Sequence, residues 1–101
     1  MSNPGPDGRH AVLADATTLV CTDRNAEYGE PEDSFNLIAN LWSSYLHTKV
    51  LPQDVAALMI LMKVARLQVN PTHRDSWVDV AGYAACGGNI PSGHTGSGSA
   101  R

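Results

Sequence analysis

The stretch DVAALMILMKVARL, residues Asp54–Leu67, decides the fold class. Eleven of its fourteen residues are apolar, and only Asp54, Lys63 and Arg66 interrupt them. It never alternates polar with apolar as a half-buried strand does, and it exceeds the usual strand length. Pro52 is a good first-turn residue, and Asn70-Pro71 cannot continue a helix, so the spacing predicts a helix over 53–69. A helix apolar around its whole circumference is either central to a bundle or covered by another subunit.

Working outward, the flanks are helical too. A first helix is expected over 11–28, with a stripe of Val12, Ala16, Leu19 and Val20, Leu13 beside it, and Gly29 and Pro31 as stops. A second is expected over 32–47, its stripe Phe35, Ile38, Trp42 and Tyr45, with Glu32 and Asp33 at the positive end of its dipole. A fourth is expected over 74–86, with core positions Trp77, Val80, Ala81 and Ala84, ended by Gly87-Gly88. Thr72 followed three positions later by Asp75 resembles a capping box for it. Short links favour antiparallel neighbours, so the expectation is an all-α, small four-helix bundle.

The 101 residues, 43% hydrophobic, suffice for one core. Residues 1–10 and 89–101, rich in Gly, Pro and Ser, are expected to be disordered tails around a helical domain at 11–88. A domain this small packs well or oligomerises, so a homo-oligomer is expected. The net charge of −3 gives no basic field, which ranks nucleic acid low among partners. No apolar run approaches the roughly 20 residues of a membrane span, and no signal peptide is visible. Cys21 and Cys86 lie among apolar residues without metal spacing and read as buried thiols, so a reducing cytoplasm is the expected compartment.

Three features carry possible chemistry. Lys63 and Arg66 lie about 60° apart on the helix circumference, with Asn70 one turn further on. Two cations on an apolar helix need negative charge nearby. Either they pair with Asp75, Asp79 or Glu27, or they frame a phosphate pocket extended by His73 and Arg74. Asp75 and Asp79, at i and i+4, share one face continued by Gly82 and Tyr83. Asp75 reads as a cap; Asp79 reads as a partner of Arg66 or as a magnesium ligand. Finally, the acidic corner from Asp23 to Asp33 offers Tyr28, which, like Trp77 and Tyr83, is a candidate for stacking on a base.

These same strings carry a resemblance. Asp23-Arg24, Tyr28-Gly29 and Pro31, the Leu41-Trp42 pair, the Asp54–Arg66 helix, and Asn70-Pro71-Thr72-His73-Arg74-Asp75-Ser76-Trp77-Val78-Asp79 followed by Ala81-Gly82-Tyr83 resemble a family of short bacteriophage and prophage proteins, a domain of unknown function, across roughly 15–88. More distantly, the helix from Asp75 to Tyr83 is similar to the second acidic element of MazG-type all-α NTP pyrophosphohydrolases. That likeness implies Asp79, with Asp75 nearby, around magnesium. The first acidic element of those enzymes is absent here. Asp54 stands alone, and Lys63 and Arg66 occupy the place of carboxylates, which favours holding phosphate directly.

Three functional expectations follow. The first is a phage protein that captures a nucleotide or nucleotide-derived signal, such as a host immune signal, without hydrolysis, through Lys63, Arg66, Asn70, His73, Arg74, Tyr28 and Tyr83. Asp79 orients the arginine in this reading. The second is a magnesium-dependent pyrophosphohydrolase, its metal on Asp79 with Asp75, Asp54 or Glu27. The third is a helical protein–protein interaction module, its charges only fixing register.

Overall fold

A computed structural model of the chain describes residues 5–23 and 31–90. Among these residues it contains four α-helices, a π-helical turn and no strand. Helix α1 is Gly5–Thr18, followed by the π turn Leu19–Asp23; α2 is Pro31–Leu46, α3 is Pro52–Val69 and α4 is Arg74–Gly88. The fold is all-α. Helices α2 and α3 match the expected spans to within a residue at either end, because prolines mark both starts. The expected tail at 89–101 begins later than its composition suggests: the Asn89 N–H donates to the Ala85 carbonyl at 3.1 Å and Ile90 packs against the core, while 91–101 lie outside the described residues, as does Tyr28.

The first helix departs from expectation at both ends. It begins at Gly5, within the stretch expected to be a tail, because Pro6 and Asp7 are good first-turn residues despite the neighbouring glycines. Its α-helical part stops at Thr18, where the backbone widens into the π turn.

Contacts fix the directions of the helices. Gly87 lies beside Ala56, and Asp79 beside Lys63, so α3 and α4 run antiparallel. Arg74 meets Asp15 and Gly82 meets Val20, so α1 runs parallel to α4 and is not its antiparallel neighbour. In space the order is α2, α3, α4, α1. The core joins Phe35 and Ala39 of α2, Val50 of the link, Val55 and Ala56 of α3, and Cys86 of α4. Tyr83 stacks on Phe35 with ring centroids 6.3 Å apart.

Links between helices are held by polar groups. Helix α2 ends with His47 in the left-handed region at φ 57°, while the Thr48 N–H reaches back to the Ser43 carbonyl at 3.3 Å. The Ser43 hydroxyl accepts from the Val50 N–H at 2.8 Å, tying the link to the helix. Asp54 Oδ2 accepts the Leu51 N–H at 2.9 Å at the start of α3.

Helix α4 corrects four expectations. Its cap is His73, not Thr72: Nδ1 accepts the Ser76 N–H at 3.3 Å and lies 2.7 Å from Ser76 Oγ, while the Thr72 hydroxyl donates to Asn70 Oδ1 at 3.4 Å. Its buried face is Ser76, Val78, Gly82 and Cys86, not the stripe of Trp77 and Ala84. Trp77 is half exposed because its indole N–H donates to the Pro71 carbonyl at 2.9 Å, and this holds the ring over the turn. The helix runs past the expected last residue, Cys86, and ends at Gly88, so that Gly87 lies inside it, where α3 approaches most closely. Elsewhere, Tyr45 leaves its expected stripe and is 84% exposed, and Cys21 is exposed while Cys86 is buried.

Candidate functional site

Lys63 sits on the same side of α3 as Ala56 and Leu67, the side that α4 covers. Its Nζ meets Asp79 Oδ2 at 2.9 Å, and the side chains are 14% and 24% exposed. The negative charge that a cation on this helix requires is thus supplied inside the bundle, by Asp79, one of the three candidate acids. This corrects the expectation that Asp79 orients Arg66. Arg66 points outward, is exposed, and has no acidic partner among the described residues. The 60° between the two positions is enough to put one head inside the helix pair and the other in water.

The remaining expected ligand residues divide. Arg66, Asn70, His73 and Arg74 share the α3–α4 corner, all exposed. The Asn70 N–H donates to the Arg66 carbonyl at 3.0 Å, and its own carbonyl accepts the His73 N–H at 3.1 Å. His73 Nδ1 is committed to the cap. Arg74 Nη1 meets Asp15 Oδ2 at 2.7 Å, an ion pair half in water. Tyr83 is nine residues along α4, about 13 Å from the corner, and stacks in the core, so it is not part of the same constellation.

A cleft of about 410 Å³ lies between α1 with its π turn and α4. Asp15, Thr18, Leu19, Asp75, Val78 and Asp79 line it. Asp75 and Asp79 therefore do share a cleft, as their spacing suggests. Sequence reading missed Asp15 and Thr18; their three-residue spacing puts both on one side of α1, but nothing in the sequence says that α1 lies parallel against α4. Two of the three carboxylates already face a cation, Asp15 through Arg74 and Asp79 through Lys63. A bare phosphate entering here meets carboxylates, not free cations. Among the described residues, no three His, Cys, Asp or Glu side chains gather closely enough to hold a metal ion. Asp54, an expected partner for magnesium, caps α3 about 13 Å along the helix from Lys63.

The third surface is apolar. Leu37, Leu41 and Tyr45 of α2, and Leu58, Leu61, Met62, Ala65 and Val69 of α3, are all exposed. Helical geometry puts both sets on the side of the α2–α3 hairpin away from α4. No charged residue lies among them.

These elements define a small all-α domain with one ion pair inside and apolar surface outside. The chain belongs to the family described as a domain of unknown function, DUF6378, whose model matches residues 11–91. It is similar to the Gene 55 protein of Mycobacterium phage D29, 47% identical over 76 residues, which are 75% of this chain and 50% of that protein. It is also similar to the Gene 55 protein of Mycobacterium phage L5, 39% identical over 75 residues, 73% of this chain and 48% of that protein. The chain therefore spans about half the length of the curated relatives it matches. No solved structure matches it. No helix among the described residues is long and apolar enough to cross a membrane.

Proposed function

We propose that this chain is a helical association module of a bacteriophage, working in the host cytoplasm by packing the outer face of α2 and α3 against another protein surface. One observation carries this reading: the charge-free apolar face of Leu37, Leu41, Tyr45, Leu58, Leu61, Met62, Ala65 and Val69. Contiguous apolar surface of this kind on a small domain marks an interaction site. The cations that pointed to an anionic ligand have, in Lys63 and Arg74, partners within the fold. The test is the pair Leu41→Glu and Leu61→Glu. Both side chains are already in water, so the isolated fold keeps its helical content in circular dichroism while association is lost. Folded variants whose association is unaltered sink the reading.

Nucleotide capture is the second reading, and Arg66 favours it. This arginine stands exposed without an acidic partner among the described residues, beside Asn70 and the His73 cap. In this reading the α3–α4 corner holds a phosphate by Arg66 and the N-terminal end of α4. Calorimetry with mono-, di- and cyclic nucleotides tests it. Binding that Arg66→Ala abolishes in a folded protein supports the capture; no heat with any of the panel removes it.

A further inference from the structure

The apolar face raises the question of what covers it, and the chain's own composition narrows the answer. The residues outside the described part are 1–4, 24–30 and 91–101. Among all of them the apolar side chains are Met1, Ala26, Tyr28 and Ala100, besides two prolines. These segments hold too little apolar surface to cover eight exposed apolar positions. A separate molecule can supply the cover.

The arrangement of the face points to what that molecule is. On α3, Leu58, Met62, Ala65 and Val69 follow one another at spacings of four, three and four, the repeat of a helix seam that packs against another helix. On α2, Leu37, Leu41 and Tyr45 run beside it at intervals of four. An antiparallel pair of helices with two adjoining apolar stripes is half of a four-helix bundle. A twofold axis supplies the other half from an identical chain, since an isologous contact places the same patch on itself. Self-apposition of this patch brings no like charges together, because it carries none. The face is about 20 Å in each direction. Two copies meeting on it bury on the order of 1,200 Å² in total, at the lower edge of the range for specific dimers.

We infer that a second copy of this chain occupies the face, so that α2 and α3 of two subunits form an intermolecular four-helix bundle. This rests on the association reading and names its partner. Helix α4 and α1 stay outside the contact, and the cleft between them stays open in each subunit.

Light scattering on the full chain at about 100 µM tests this, a concentration matched to the modest area. The expected mass is twice 10.7 kDa. Leu61→Glu on α3 and Tyr45→Glu on α2 each give a folded single chain. Ala84→Glu, on an exposed position of α4, leaves the dimer intact. Tyr45 is so exposed that its substitution keeps the test valid if Leu61→Glu does not fold. A folded Leu61→Glu protein that is still a dimer overturns the proposed interface. So does a wild-type chain of single mass, and a hydrophobic dye then separates two failures. Dye fluorescence that Leu61→Glu abolishes overturns the second copy but leaves the face to an unlike partner. No dye binding overturns the association reading as well.

Discussion

Asp79 is within reach of one cation and not of the other, and that choice sets what a substitution does. Lys63 and Asp79 are mostly removed from water, so removing one partner leaves the other poorly solvated. Asp79→Asn is expected to cost about 2–4 kcal/mol in urea denaturation. The double variant Lys63→Met with Asp79→Leu, which keeps the volume and removes both charges, recovers most of that loss. A cost for Asp79→Asn below about 0.5 kcal/mol means that water screens the pair after all. Arg74 and Asp15 make the contrasting case: their ion pair is half exposed, and such pairs contribute little. At this scale the sequence allowed either acid for either cation. The 60° between Lys63 and Arg66 was legible, but which of the two faces α4 depends on the rotation of α3 in the bundle.

Glycines in α4 show how far element boundaries can be read. A Gly-Gly pair after an apolar stripe suggests a helix end, and α4 does end at the second of them, but it takes both into its last turn. A Cβ at Gly87 would lie 2.9 Å from Ala56 Cβ, whereas one at Gly88 meets open space. Gly87→Ala therefore forces α3 and α4 apart and is expected to cost about 1–3 kcal/mol despite its better helix propensity. Gly88→Ala keeps only the propensity gain and is expected to stabilise by roughly 0.5–1 kcal/mol. Thermal melts of the two variants side by side check the contrast; equal shifts refute the close approach. The starts of α2 and α3 were legible because proline acts locally at Pro31 and Pro52. The α4 face was not, because Trp77 looks like a core residue until its N–H finds the Pro71 carbonyl. Nor was the His73 cap, since Thr72 offers the more familiar capping residue one position earlier.

Across the whole molecule, the all-α class was plain from Asp54–Leu67, whose surplus of apolar residues exceeds what the bundle buries. The parallel placement of α1 on α4, and with it the cleft of Asp15, Thr18 and Asp75, was out of reach because it is set by packing. The same surplus of apolar surface on α3 now separates the two functional readings by their dependence on salt. A face without charges gains nothing from electrostatic attraction, and screening cannot weaken what is not there. The dissociation constant of the proposed dimer is therefore expected to change less than about threefold between 0.05 and 0.5 M sodium chloride. Any drift should be towards tighter association, because salts that are excluded from apolar surface favour burial. Capture of a phosphate at Arg66, exposed at the α3–α4 corner, behaves oppositely and weakens steadily as salt rises. Sedimentation equilibrium across a salt series reads the first quantity, and nucleotide titrations in the same buffers read the second. A dimer that dissociates tenfold more readily at high salt is held by charges, and the apolar face is then not its interface.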